Sequence, residues 1–323
     1  MSASVRRPIA FLSGGQGSQF VGMGIAQFEN DVVFRSTVKA LLAGPRLASI
    51  LDAWLEGSQE AFTRSAYTQP LLVALGIASA RSLASRGLYP SALLGHSAGE
   101  FSLAVFAGLI DDEATRVVLA RRSEILDEGP SGSMRAVRSD SETITSLLRE
   151  HGLRAWIAAE NSPTQCLVSA ELGVLEKLAE IAQARSILTV PAMSDMPFHS
   201  PLVKEKALQL EESLSTARLS SLRVPMVSGS TGSWVSDAQS EQANFWAEQL
   251  WRPVKFWSAL DMLLNDDWII VDLGPGTGLS AIAASHPKVR SGQSEVVSLM
   301  PTKGANSFTD WVEKIQYVQK NSL

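Results

Sequence analysis

Ser91-Ala92-Leu93-Leu94-Gly95-His96-Ser97-Ala98-Gly99-Glu100 is a short apolar run that ends in glycine and gives way to a helical pattern from Phe101 to Leu109. Strand, glycine, helix is the order of an α/β unit, and Gly95 to Gly99 fits G-x-S-x-G with a buried strand before it and a helix after it. A sharp strand-to-helix turn crowds the backbone, so small residues two positions either side of a serine let its Oγ stand out. The helix N-terminus offers backbone N–H groups and positive potential to a developing oxyanion. Ser97 is therefore the candidate nucleophile. A glycine-flanked serine in an ordinary turn is the plainer reading, and the flanking strand and helix weigh against it.

Working outward, Pro8 to Leu12 reads as a strand that feeds the glycine-rich turn Ser13-Gly14-Gly15-Gln16-Gly17-Ser18-Gln19. Pro70 to Arg86 reads as a mostly apolar helix. The texture changes at Glu128-Gly129-Pro130-Ser131-Gly132-Ser133. Beyond it come a strand (Met134–Val137), a helix (Ser141–Glu150, with Ser as N-cap), strands at Ala155–Asn161 and Gln165–Ala170, a helix (Glu171–Ala184) and a strand (Ser186–Val190). That βαββαβ order is ferredoxin-like. The last stretch resumes with helices at Leu202–Leu214 and Asn244–Leu250 and strands at Val224–Ser228 and Trp268–Leu273. The pattern predicts an α/β domain interrupted by a small insert.

Composition narrows the function. The 323 residues are 45% hydrophobic and 19% charged, and 28 Lys+Arg against 33 Asp+Glu leave a formal charge of -5, so bulk electrostatics attract neither nucleic acid nor anionic lipid. The longest apolar stretches, Leu71–Ala78 and Trp268–Leu273, fall far short of the roughly 20 residues of a membrane span. The run Ile9–Leu12 is too short for a signal peptide. A lone cysteine, Cys166, excludes a disulfide framework and a thiolate zinc site and fits a reducing cytoplasm. In its strand it reads as a small core residue. The Trp234, Trp246, Trp251, Trp257 and Trp268 set reads as packing, lacking the basic interleaving of a stacking platform. Gly274-Pro275-Gly276-Thr277-Gly278 lacks the Lys-Ser/Thr of a phosphate loop and reads as a structural turn.

A serine hydroxyl needs a general base. Of the four histidines, His96 points away from its neighbour by strand geometry, His151 ends a helix, and His286 precedes Pro287 in a loop. His199, bounded by Pro197 and Pro201, is the favourite. No carboxylate is placed as a third member, although Asp272 ends a strand. Arg122 stands out by helix geometry: its neighbours one turn away are Val118, Leu119, Ile125 and Leu126, all apolar, whereas Arg121 neighbours Glu124. An arginine pressed inward needs an anion. The alternative is a side chain snorkelling out along an apolar face.

Together, Gly15-Gln16-Gly17-Ser18-Gln19, Thr68-Gln69-Pro70, Gly95-His96-Ser97-Ala98-Gly99-Glu100, Arg122, Asn161-Ser162-Pro163, Phe198-His199-Ser200 and Gly274-Pro275-Gly276 resemble malonyl-CoA:acyl carrier protein transacylases and polyketide synthase acyltransferase domains. The resemblance runs from Phe11 to about Leu279. It implies an α/β-hydrolase-like subdomain of residues 1–129 and 199–323 and an inserted ferredoxin-like subdomain of residues 130–198. It also implies that Ser97 takes the acyl group and His199 is its base, oriented by the backbone carbonyl of Gln249. Gln16 and the Ala98 N–H would form the oxyanion hole, Arg122 would pair with the carboxylate of a malonyl-type group, and Phe198, Gln69 and Asn161 would line the pocket. Phe198 before His199 resembles the malonyl-selective pattern. Met196-Pro197, the small Ala98, and Ser13-Gly14 in place of the common Phe-Pro depart from it and keep a substituted malonyl unit open.

The reading implied is ping-pong transfer from coenzyme A to the phosphopantetheine thiol of an acyl carrier protein, with no cofactor of the enzyme's own. With no carrier, ketosynthase or linker attached, action in trans in polyketide or fatty acid synthesis is expected. Arg154, Lys204, Lys206, Arg252 and Lys255 are candidate carrier contacts. An acyl hydrolase that edits carriers is the alternative enzyme, which retention of Arg122 disfavours. A non-catalytic docking protein is disfavoured by the presence of both Ser97 and His199.

Overall fold

In the computed structural model, residues 6–300 and 307–323 are described; the ends of the expected large subdomain at 1–5 and 301–306 lie outside them. Five strands, β1 (Ile9–Ser13), β2 (Ala92–Gly95), β7 (Met226–Val227), β8 (Ile269–Pro275) and β9 (Glu295–Met300), form a parallel sheet in the order β7-β2-β1-β8-β9. Every residue of β1, β2 and β8 is buried, as central strands covered on both faces require. Alternation divides them between two cores. Ile9, Phe11 and Leu93 pack towards the long helix Ser65–Ala84, and Ala10, Leu12 and Leu94 towards the helix Phe256–Leu263.

The other four strands, β3 (Ser133–Val137), β4 (Trp156–Ser162), β5 (Gln165–Ala170) and β6 (Thr189–Pro191), form an antiparallel sheet in the order β4-β5-β3-β6. With the helices Ser141–Glu150 and Leu172–Ala184 they close a separate core of Val137, Ile144, Leu147, Cys166, Val168 and Leu178. Element order and strand order together are ferredoxin-like. This unit is stitched to the segment before the helix Phe256–Leu263, where Glu160 N–H donates to the Val254 carbonyl at 2.8 Å and Val254 N–H to that of Ala158 at 2.9 Å.

The strand expected at Ser186–Val190 is found only at Thr189–Pro191 and that at Val224–Ser228 is confined to Met226–Val227, and three further differences concern helices. The Ser141 helix is capped by Asp140, whose carboxylate accepts from Thr143 N–H at 2.7 Å, one residue earlier than expected. The Asn244–Leu250 helix is a short α-helix, Ala243–Ala247, followed by a 3₁₀ turn, Glu248–Leu250. The third matters for the site: the helix expected from Pro70 begins at Ser65, so that Pro70 lies inside it. Proline is a good first helical residue, so a sequence reader starts the helix there. Inside a helix it removes the bond to the carbonyl four residues earlier, here that of Ala66. Ser123 Oγ on the neighbouring helix Asp112–Asp127 donates to that carbonyl at 2.6 Å. The extra turn is thereby held by a tertiary contact, and it carries Ser65 and Gln69 to the site. Ser123→Ala is expected to lower unfolding free energy by about 1–3 kcal/mol, because it leaves a buried carbonyl without a donor; chemical denaturation measures this.

Candidate active site

Ser97 stands at the corner between β2 and the helix Ala98–Phe106, with φ 55° and ψ -126°. A residue other than glycine tolerates this conformation only where the surroundings impose it. Here they do. A Cβ on Gly95 would lie 2.1 Å from the Glu100 Cα, and one on Gly99 would lie 2.1 Å from the Ser13 carbonyl oxygen. The two glycines let helix and strand ends approach to backbone contact, and the turn between them projects Ser97. Ala98, first in the helix, has an N–H with no intrahelical acceptor.

Ser97 Oγ lies 2.9 Å from His199 Nε2. His199, itself at φ 58° and 4% exposed, is anchored through its N–H to the Leu250 carbonyl. Its Nδ1 lies 2.8 Å from the carbonyl oxygen of Arg252. A carbonyl only accepts, so Nδ1 carries the proton and Nε2 presents its lone pair to Ser97. The direct partner is thus Arg252 and not Gln249, whose carbonyl faces the imidazole as a lesser contributor. The chain reverses through the Glu248–Leu250 turn, and that brings the Arg252 carbonyl to the ring. Burial, together with the charges of His96 and Arg122, outweighs the two carbonyls and pushes the His199 pKa down to about 4. The imidazole is a neutral base at pH 7.

Asp272 takes no part in this pair. Buried at the end of β8, it accepts from Gly274 N–H at 3.1 Å, and burial pushes its pKa up to about 7. His96 turns away from Ser97: its Nε2 meets Asn161 Oδ1 at 2.9 Å and its ring packs on Phe256. His286 caps a short helix beside Asp261, and His151 ends the helix Ser141–Glu150.

Arg122 is 5% exposed, so it does not snorkel. Its Nε donates to Gln69 Oε1 at 2.8 Å, and among the described residues no carboxylate pairs with it. Burial alone pulls its pKa down to about 10. Gln69 Nε2 lies 3.3 Å from Gln16 Oε1, which also accepts from the Ser65 hydroxyl at 3.0 Å. The Gln16 amide Nε2 donates to the Met193 carbonyl at 3.1 Å. One Gln16 Nε2 hydrogen is thus engaged with Met193, and the second amide hydrogen and the backbone N–H are left as donors for an oxyanion. Gly15, just before it, packs against Ser97 Cβ and Ala98 N. Phe198 is buried beside His199 with Met196, which lies against Gly129.

A cavity of about 440 Å³ opens next to this cluster, with Gln16, His96, Asn161 and Leu279 in its wall. Gly276, Thr277 and Gly278 also line it, so the turn read as structural forms part of the cleft. The Arg252 carbonyl and Ser65 escaped sequence reading: a backbone acceptor leaves no residue-type signal, and Ser65 precedes the expected helix start. Cys166 is buried, with its thiol pushed up to about 12 mainly by burial, and is inert. Of the candidate carrier contacts, Lys204 and Arg252 flank the Trp251 ring, Arg154 lies over Trp156, and Lys206 and Lys255 stand apart from these stacks. Among the described residues there is no cluster able to hold a metal ion and no helix long and apolar enough to cross a membrane.

A family model described as acyl transferase domain matches residues 10–301. The chain is 30% identical over 287 residues to the malonyl CoA-acyl carrier protein transacylase of Bacillus subtilis, covering 85% of this chain and 89% of that protein. It is 29% identical over 284 residues to a phenolphthiocerol/phthiocerol polyketide synthase chain of Mycobacterium tuberculosis, covering 87% of this chain and 19% of the synthase. It thus spans less than a fifth of that relative. Among solved structures, the acyl transferase domain of SpnD in complex with 2-(pent-4-yn-1-yl)malonyl superposes with a TM-score of 0.88 at 26% identity, covering 99% of this chain and 78% of that one. The malonyl-CoA:acyl carrier protein transacylase of Xanthomonas oryzae pv. oryzae shares the fold, with a TM-score of 0.83 at 23% identity and coverage of 97% and 99%.

The low His199 pKa sets a pH dependence. The reactive form is the neutral imidazole, so acylation of free enzyme is expected to persist as pH falls past 6.5 and to decline only towards about 4. A kcat/KM profile with an acid limb at 6.5 would contradict this. The same group lowers stability as pH falls from 6.5 towards about 4, because the unfolded imidazole takes a proton there and the folded one does not.

Proposed function

The chain belongs to the acyl transferase domain family, and from that premise we propose that it moves a malonyl-type acyl unit from coenzyme A to the phosphopantetheine thiol of an acyl carrier protein. The observation that carries the reading is the buried Arg122 guanidinium, which no carboxylate among the described residues neutralises, in the same hydrogen-bonded cluster as the site. A buried cation needs an anion, and the free carboxylate of a malonyl-type group supplies one.

The chemistry follows from the dyad. His199 Nε2 takes the Ser97 hydroxyl proton as Oγ bonds to the thioester carbonyl carbon, and the carbonyl electron pair moves onto oxygen. The N–H groups of Ala98 and Gln16 receive that oxyanion. The tetrahedral centre collapses, the C–S bond breaks, and the departing sulfur takes the proton back from His199. In the second half the carrier thiol gives its proton to His199, its sulfur attacks the serine ester, and Ser97 leaves reprotonated. The Arg252 carbonyl stabilises the imidazolium in both halves through Nδ1–H.

Intact-protein mass spectrometry after brief incubation with malonyl-CoA, methylmalonyl-CoA or acetyl-CoA tests this. Wild type is expected to gain a malonyl adduct that Ser97→Ala lacks. Arg122→Ala is expected to lose malonyl acylation by at least about thirtyfold, the lower end for truncating one partner of a buried charge pair, and to shift towards acetyl. Release of free malonate without a carrier would favour the hydrolase, and absence of any adduct would favour a docking protein.

A further inference from the structure

Beyond the reactive end, a second cavity of about 490 Å³ shares Gly278 and Ile282 with the first as a common wall. The two adjoin along that wall, each lined by residues of the β4–β5 hairpin and of the helix Gly278–Ala284. Asn161 and Leu167 line the inner cavity, and Ser162, Thr164 and Gln165 the outer one. The inner end holds His96 and Gln16, next to Ser97. The outer end holds Arg138, just beyond β3.

Arg138 is the single charged residue lining the outer cavity, where no Asp or Glu faces it. Among the described residues it has no ion pair and no side-chain hydrogen bond, whereas Arg46, Arg64, Arg81, Arg86, Arg121 and Arg185 each pair with a carboxylate. Ser162, Thr164, Gln165 and Ser285 line the same cavity with hydroxyl and amide groups, and Leu188, Val190 and Ile282 are among its apolar lining. In a chain of formal charge -5 this is a local cationic, hydrogen-bonding end to a cleft whose inner wall is partly apolar. Those are the requirements of a pantetheine arm, which has methylene and amide groups along its length, a thiol at one end and a phosphate at the other.

Resting on the transferase reading above, the geometry points to a phosphate site at Arg138 for the far end of the arm. Coenzyme A and the carrier both present that phosphate, so one cation serves donor and acceptor in turn. With the thiol end at Ser97 and the phosphate at Arg138, both half-reactions share a single line of approach.

The test compares wild type, Arg138→Ala and Arg138→Lys on substrates with and without the phosphate. Acylation is measured from malonyl-CoA and from the N-acetylcysteamine thioester of malonate; deacylation is measured with 4′-phosphopantetheine and with pantetheine. Arg138→Ala is expected to raise KM about tenfold for malonyl-CoA and 4′-phosphopantetheine, as befits one charge-assisted contact at an exposed rim, with kcat and both phosphate-free reactions unchanged. Arg138→Lys is expected to recover most of the loss. Equal losses on phosphate-free substrates, no loss on phosphorylated ones, or a loss confined to coenzyme A would each overturn the shared site. Calorimetric binding of coenzyme A against pantetheine needs no turnover. If wild type forms no malonyl adduct the transferase reading fails, while tighter binding of coenzyme A than pantetheine that depends on Arg138 still supports the phosphate site, and independence from Arg138 overturns it.

Discussion

The backbone contact between the helix Ala98–Phe106 and the end of β1 sets the rest of the site. Gly99 lies against the Ser13 carbonyl and Gly95 against Glu100, each at distances no Cβ permits. That approach forces Ser97 to φ 55°, and strain of this kind costs about 1–3 kcal/mol, held by the packing around it. Because β1 and β2 are parallel neighbours, the Gln16 turn and the Ser97 turn leave the sheet at the same edge. The nucleophile and the backbone donors meet as a consequence of strand register.

Around this corner the fold buries polar groups that a core would otherwise avoid. Glu100 is buried, accepts from Gly229 N–H at 3.0 Å, and has its pKa pushed up to about 7 by burial. Asp272 is in a similar position across the sheet. Both carboxylates tie loops at the strand ends rather than pair with bases, so the sheet edge is braced without a competing acid at His199. Arg122 differs, since its polar contact, to Gln69, leaves its charge uncompensated among the described residues. A fold that retains such a cation has a cost that a bound carboxylate relieves.

The inserted antiparallel unit completes the site from the other side. It delivers Asn161 to His96 and, through the segment after β6, Met193 to Gln16 and Phe198-His199 to Ser97. His199 itself is held by the Leu250 and Arg252 carbonyls of the large unit, just past the end of the insert, and the two units are joined by the Ala158–Glu160 and Val254 hydrogen bonds.

The central strands and the insert were legible in the sequence because burial has a period: apolar runs for central strands, βαββαβ for the insert, and glycines where a turn needs them, whereas β9 and the helices between Ile25 and Thr63 were not read. Ser97 was legible for the same reason, and Arg122 because four apolar neighbours on a helix leave a charge nowhere else to go. Other features depended on groups distant in sequence. The helix start before Pro70 rests on a hydroxyl at Ser123, the tautomer of His199 on the Arg252 carbonyl, and the side chain of Gln16 on Met193 and Ser65. Local patterning reports which residues are buried and how the backbone turns. Which acceptor a buried donor finds is decided by packing between elements, and backbone carbonyls, identical at every position, carry no mark in the sequence that says where they will be needed.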